Sequence, residues 1–149
     1  MAELTEVRLL IGGQWRDGAE SADVLDKYRL VPYARLHIPS TEQVRLAVAD
    51  AQSAYERSTL TAYDRGAILD RAADLIESRS AQFIEVIRTE AGFTLTDSQG
   101  ELKRCIQTFR LSAEEARRLV GEMVPLEGAP QQGGRIGFTL PVPLGVALS

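Results

Sequence analysis

Residues 96–121 read TDSQGELKRCIQTFRLSAEEARRLVG and carry the longest periodic signal in the chain. Leu102, Cys105, Ile106, Phe109, Ala113, Ala116 and Val120 recur at three- and four-residue spacings, which puts them on one face of a helix. Thr96-Asp97-Ser98-Gln99 supplies the start signal and Gly121 the stop. The same period extends upstream. Ser40-Thr41-Glu42-Gln43 has capping-box form, and Val44, Ala47, Val48, Ala51, Ala54 and Tyr55 follow as a stripe. Thr61 to Asp64 repeats the capping logic ahead of Ile68, Leu69, Ala72, Leu75 and Ile76. A shorter helix bearing Phe83, Ile84 and Ile87 is expected to end near Gly92, which suits a left-handed C-terminal cap. Four capped helices therefore fill residues 40–121.

Strand patterns lie on both sides of this helical block, so the chain is α/β in three stretches: 1–39, 40–121 and 122–149. In the first, Val7-Arg8-Leu9-Leu10-Ile11 is followed by Gly12-Gly13 and by Gln14-Trp15-Arg16, the pattern of a β-hairpin closed by Asp17-Gly18. Ala34, Leu36 and Ile38 alternate with Arg35 and His37, which predicts a strand with the aliphatic residues inward and His37 outward. In the last stretch Pro125, Gly128, Pro130 and Gly133-Gly134 punctuate a loop. Residues 135–140 alternate as an edge or arm strand. Leu144-Gly145-Val146-Ala147-Leu148 is apolar on both faces, as in a strand buried in a parallel sheet. A parallel strand needs a crossover and a neighbour. Neither follows, which predicts that the core is unfinished.

At 149 residues with 44% hydrophobic and 26% charged residues, the composition excludes wholesale disorder. Seventeen Lys+Arg against 21 Asp+Glu leave a net charge of -4, which is no electrostatic footprint for nucleic acid. No apolar run reaches membrane-spanning length, and Glu3 and Glu6 argue against a secretory leader. The single cysteine, Cys105, fits a reducing cytoplasm.

Candidate chemistry is sparse. Cys105 lies within the apolar stripe and is expected to be a small buried hydrophobe, with no histidine placed to activate it. His37 is expected to be a solvated strand residue; a metal site would need partners that the sequence does not offer. Gly133-Gly134-Arg135-Ile136-Gly137 precedes a strand rather than a helix, so a turn fits better than a phosphate loop. Glu114-Glu115 and Arg117-Arg118 form a charged helix face with possible i,i+3 pairing. Arg104 lies about 200° from Leu102, opposite the apolar stripe, with Thr108, Leu111 and Glu115. On its position alone it is an exposed arginine. The residues by themselves yield no catalytic, cofactor-binding or metal-ligating set.

The ordered motifs resemble the N-terminal portion of the NAD(P)-dependent aldehyde dehydrogenase superfamily. Leu10-Ile11-Gly12-Gly13-Gln14-Trp15 is similar to that family's "INGEW" hairpin, and Asp26-Lys27-Tyr28 stands at its "NPxTG" or "DKYTG" turn. Residues 47–54 resemble "AVxxAxxA", and residues 65–77 resemble "RxxILxxAADLLE". Glu90-Ala91-Gly92 resembles "ETGK", residues 112–125 "YAxEARRLxGExxP", and residues 138–146 "FTxREPLGVV". Two departures concern turns: the glycine of the early turn is missing, and Phe93 replaces the usual lysine.

The resemblance implies an incomplete aldehyde dehydrogenase fold. Its parts are a β-hairpin arm, a four-helix layer, an oligomerisation-arm strand near residues 134–141, and the first strand of the nucleotide-binding sheet at 144–149. It also implies a parent reaction, in which a cysteine thiolate attacks an aldehyde, hydride passes to NAD or NADP, and the thioester is hydrolysed. The family's catalytic cysteine, glutamate base and cofactor motifs follow its "PLGVV" segment and have no counterpart here; Cys105 does not match the nucleophile. The complete enzyme is expected to be a cytoplasmic homo-oligomer. The long helix lines the mouth of the family's substrate tunnel, and Arg104 aligns near a tunnel-facing position. There it would favour an aldehyde bearing an anionic group. Two function classes fit the chain: a portion of an aldehyde dehydrogenase, inactive alone, or a free-standing non-catalytic module that binds partners through its helices or unpaired strands.

Overall fold

The protein is described from a computed structural model covering residues 4–148. The expected hairpin forms from β2 (Leu9–Ile11) and β3 (Gln14–Arg16), paired antiparallel. Gly12 and Gly13 both have positive φ, +58° and +75°, as a tight turn matched to the strand twist requires. A side chain at Gly12 would also strike the Asp50 carboxylate on α1 (Thr41–Glu56), so the turn tip sits against that helix.

The stretch 7–11 is not one strand. Thr5–Val7 forms β1, which leaves the hairpin at Arg8 and joins a second sheet. That sheet has the order β1-β5-β4, where β4 is Glu20–Leu25 and β5 is Pro32–Ile38. β5 runs parallel to β1 and antiparallel to β4. β4 had no sequence signal: its acidic and small residues have low strand preference, and its ladder to β5 makes it a strand.

The expected facing of β5 holds for Ala34 alone. Ala34 is 2% exposed, but Leu36 is 42% and Ile38 38% exposed, while Arg35 and His37 are half-buried. The polar face closes on itself across the sheet. Arg35 pairs with Glu6 at 3.8 Å and Asp23 at 3.2 Å, and His37 meets Glu6 at 3.1 Å. No described element covers Leu36 and Ile38 on the other face to the same extent. His37 is thus a bridging residue rather than a solvated one.

The helices follow their caps. Ser40 and Gln43 form a reciprocal capping box at α1, as do Thr61 and Asp64 at α2 (Ala62–Ser78). α3 (Ser80–Ala91) ends at Gly92 with φ +73°, the left-handed cap anticipated there. α4 (Leu95–Arg118) starts two residues earlier than the sequence signal, because Thr94 is the cap and accepts the Asp97 N–H at 3.2 Å. The largest helix contact is α2 against α4, where Gly66, Ala73 and Ala113 are buried and let the helices approach closely. Arg117 spans the same interface to Asp70 at 2.6 Å and lies over the Tyr63 ring, 5.9 Å from its centroid.

The C-terminal stretch is mostly irregular. β6 (Met123–Val124) pairs antiparallel with β7 (Gly137–Phe138), a short remnant of the expected arm strand. Gly121 makes this possible, since a Cβ there would overlap the Thr139 carbonyl. Thr139 N–H also donates to Glu122 at 2.9 Å. Residues 144–148 do not form the expected parallel strand. No described strand lies beside them to take their backbone groups, and Leu144 and Leu148 are fully exposed. Ser149, the end of that expected strand, lies outside the described residues.

The turn between β4 and β5 shows how the missing glycine is accommodated. Asp26 Oδ1 accepts the N–H groups of Tyr28 at 2.9 Å and Arg29 at 2.8 Å. Leu30 closes the turn at φ +57°, in the left-handed region that a leucine occupies at a cost. Lys27 N–H donates to the Thr89 carbonyl at 2.9 Å and docks the turn on α3. Because Leu30 is 70% exposed, little burial opposes its replacement. Leu30→Gly is expected to stabilise the chain by about 0.5–1 kcal/mol, the relief of strain exceeding the added unfolded-state entropy. A urea midpoint that falls instead would contradict the strain.

The Arg29 N–H, then the Tyr28 N–H, and the Arg29 guanidinium together outweigh desolvation and hold the Asp26 carboxyl below its ordinary value. A depressed carboxylate stabilises the fold above its unfolded pKa, and that contribution is lost as pH falls through the lower folded value. Amide exchange at Lys27, corrected for its intrinsic rate, should therefore quicken as the pH drops from about 5 to about 3. Asp26→Asn should flatten that dependence; an unchanged profile in the variant would assign the effect elsewhere.

Candidate functional site

The long helix α4 presents two unlike faces. Ser98, Leu102 and Ala113 are buried against α2 and α3, and Ile106, Phe109 and Ala116 are half-buried beside them. The Ser98 hydroxyl is satisfied internally, donating to the Thr94 carbonyl at 2.8 Å. The opposite face carries Gly100, Arg104, Thr108, Leu111 and Glu115, all exposed. A Cβ placed on Gly100 would meet nothing within 4 Å, so this glycine is not required by packing. A glycine in a helix interior costs about 1 kcal/mol relative to alanine. The Thr108 hydroxyl turns back to the Arg104 carbonyl at 2.9 Å.

Arg104 is at the centre of this face, with its side chain 69% exposed. Its guanidinium pairs with Glu101 through Nη2 and Oε1, an i,i+3 contact on the same helix. Two of the clefts formed by neighbouring elements lie elsewhere. One, of about 420 Å³, runs between the Asp26 turn and the end of α3, lined by Tyr28, Tyr33, Arg88 and Phe93 among others. The other, of about 550 Å³, lies between α2, α3 and α4 on the side of Leu102, Lys103, Ile106 and Arg110. Arg104 faces into neither.

The remaining candidates sort as follows. Cys105 is exposed, contrary to the expectation of burial. α2 and α3 cover the side of the stripe that carries Leu102 and Ile106, and leave the edge at Cys105 open. His37 offers no base to a thiol. Nδ1 accepts the Gly18 N–H at 2.9 Å, so Nε2 carries the proton it directs at Glu6. Glu115 pairs with Arg118 as a charged helix face should, and raises the Arg118 pKa by hydrogen bond and charge. Arg117, by contrast, serves the α2–α4 interface. Arg110 does the same from two turns earlier, reaching Asp74 at 3.6 Å and Glu77.

A dinucleotide needs a strand, a glycine loop and a helix N-terminus with free N–H groups. Gly133-Gly134-Arg135 has the loop, with Gly134 at φ +77°, but leads into β7 and not into a helix. The N-termini of α1, α2 and α4 are each closed by their own cap, Ser40, Thr61 or Thr94, and carry Glu42, Asp64 or Asp97 in the first turn. Those carboxylates already occupy the positive end of the helix and would repel a pyrophosphate. Asp64 is held below its ordinary pKa by the Thr61 hydroxyl and N–H, so it remains ionised there. The N-terminus of α3 lacks such a cap and acid but follows directly on α2, with no strand or glycine loop before it, so the described residues do not fit a dinucleotide by themselves. Among them no group of three His, Cys, Asp or Glu is disposed to hold a metal ion, and no helix is long and apolar enough to cross a membrane.

Residues 15–149 match the aldehyde dehydrogenase family. The chain is 41% identical to 3-sulfolactaldehyde dehydrogenase of Priestia aryabhattai over 98% of its own length and 31% of that protein's. Its fold superposes on aldehyde dehydrogenase 21 of Physcomitrella patens, solved with its reaction product succinate. The TM-score there is 0.83 at 25% identity, covering 92% of this chain and 29% of that one. It is also similar to an NAD-dependent benzaldehyde dehydrogenase of Corynebacterium glutamicum, with a TM-score of 0.71 and 28% identity over 78% of this chain and 26% of that one. The chain thus spans less than a third of the length of these relatives. With the hairpin, the helical layer and the arm in the family's order, this chain belongs to the aldehyde dehydrogenase family.

Proposed function

We propose that this chain supplies the substrate-entry face of a cytoplasmic, homo-oligomeric, NAD(P)-dependent aldehyde dehydrogenase that oxidises a small anionic aldehyde to the carboxylate. The observation that carries the reading is Arg104, an exposed guanidinium on the outward face of α4 whose only described partner lies on its own helix. An arginine presents its donors in a planar fork that matches sulfonate and carboxylate oxygens. Gly100 leaves the adjacent surface open one turn away, so an anion can reach the fork without displacing a neighbouring side chain. The names of two relatives support the charge of the substrate: 3-sulfolactaldehyde bears a sulfonate, and succinate a second carboxylate beyond the one produced by oxidation. The name of the benzaldehyde enzyme supports NAD as the oxidant.

In this reading the described residues bind and orient, and the bond-making groups are not among them. Cys105 is accessible but its thiol has no hydrogen-bond partner among the described residues, and His37 is committed to Gly18 and Glu6. The contribution of the α4 face is to draw the charged end of the substrate to the tunnel mouth. A contact of this kind at the far end of a substrate lowers KM by uniform binding unless it tightens as the aldehyde carbon reacts.

In the enzyme that carries this chain, Arg104→Ala is expected to lower kcat/KM for a sulfonate-bearing aldehyde by about 10- to 100-fold relative to a neutral aldehyde of similar size. Most of the effect should be in KM. Steady-state kinetics on the two substrates measure it, and an equal loss on both would remove Arg104 from substrate recognition.

A further inference from the structure

The partner of Arg104 is itself informative. Glu101 takes Nη2 of the guanidinium alone, so Nε and Nη1 have no partner among the described residues. Helical side chains lean toward the N-terminus, which lays Arg104 over the turn that holds Gly100 and Glu101. At about 100° per residue, Gly100 lies about 40° to one side of Arg104 and Glu101 about 60° to the other. One flank of the guanidinium is therefore closed by a carboxylate, and the other opens onto space that any larger residue at position 100 would occupy.

We propose that Glu101 is a positioning residue that limits the advantage Arg104 would otherwise give a doubly charged over a singly charged aldehyde; the inference rests on the reading of Arg104 given above. Two effects follow from the pair. Glu101 restrains a long side chain that would otherwise be ordered only on binding, so the free edge of the fork is kept toward the Gly100 side. It also supplies a negative charge within a few ångströms of the place where an anion would bind. Both the attraction to Arg104 and the repulsion from Glu101 scale with the charge of the ligand. For a sulfonate or carboxylate, direct hydrogen bonds from Nε and Nη1 add to the charge attraction. For a doubly charged phosphonate the hydrogen bonds are similar in number, but the repulsion from Glu101 is doubled. The attraction to Arg104 is doubled as well, so the pair favours the dianion less than a lone arginine would.

Glu101→Gln separates the two effects. The amide oxygen still accepts from Arg104 at the same reach, while the charge is removed. Glu101 is on the surface, and surface substitutions of this type are usually tolerated. In the enzyme that carries this chain, KM for a sulfonate-bearing aldehyde is expected to fall roughly 3- to 10-fold with kcat held. KM for a phosphonate-bearing aldehyde is expected to fall further, so that preference shifts toward the dianion. In the double variant Glu101→Gln/Arg104→Ala the gain should vanish, because without Arg104 nothing draws the anion to the place where the Glu101 charge acts on it.

A rise in KM for the sulfonate in Glu101→Gln, or an equal shift for neutral and anionic aldehydes, would overturn the proposal. So would a gain that persists without Arg104. The two levels fail differently. If Arg104→Ala penalises neutral and anionic aldehydes alike, the substrate reading itself is wrong; if Arg104→Ala is selective and Glu101→Gln is not, only the role of Glu101 is.

Discussion

The close approach of α2 and α4 is the constraint on which the rest of this structure depends. Ala73 and Ala113 are fully buried where the helices meet, and Gly66 leaves room for the Arg117 side chain to cross between them. Small residues at the contact let two helix backbones come near enough for extensive packing, and interiors at native density tolerate little added volume. Arg117 and Arg110 then fasten the same interface from its polar edge. The fixed orientation of α4 follows from this. With Leu102 and Ala113 held inward, the helical period places Gly100, Arg104 and Leu111 outward with no further instruction. The proposed recognition surface is thus a consequence of core packing one helix-width away.

Much of the fold was legible because it rests on local chemistry. The caps at Ser40 and Thr61, the left-handed Gly92 and the paired glycines of the hairpin each act within a few residues, and each appears where the sequence puts it. What escaped depends on partners distant in the chain. β4 exists because β5 lies beside it, and a stretch such as Glu20-Ser21-Ala22-Asp23 has no strand preference of its own. The alternation in β5 was visible, but which face would be covered was not. Arg35 and His37 are half-buried because Glu6 and Asp23 arrive from two other strands. Cys105 shows the same limit on a helix: periodicity ranks positions by phase, whereas burial depends on how far the neighbouring helices extend.

The candidate site was legible in part. The wheel position of Arg104 followed from periodicity, and its relevance to an aldehyde followed from ordered family motifs. Its pairing with Glu101, and the open surface at Gly100, are facts of side-chain placement that spacing alone suggests but does not establish. The turn at Asp26 is similar. The absent glycine was apparent, but only the backbone shows that Leu30 takes over its conformation, with the Asp26 carboxylate holding the preceding residues in place. Many aliphatic residues outside the α2–α4 contact, among them Leu36 and Leu144, are left in solvent.

The contact between Gly121 and Thr139 has a consequence for how such a protein varies. Just beyond α4 the C-terminal stretch closes through a backbone approach of Gly121 to Thr139, backed by the pairing of Glu122 with Thr139. Neither depends on the buried side chains of α2 and α4. A side chain at position 121 would therefore push Thr139 away and open the pairing of β6 with β7, however well α2 and α4 are packed.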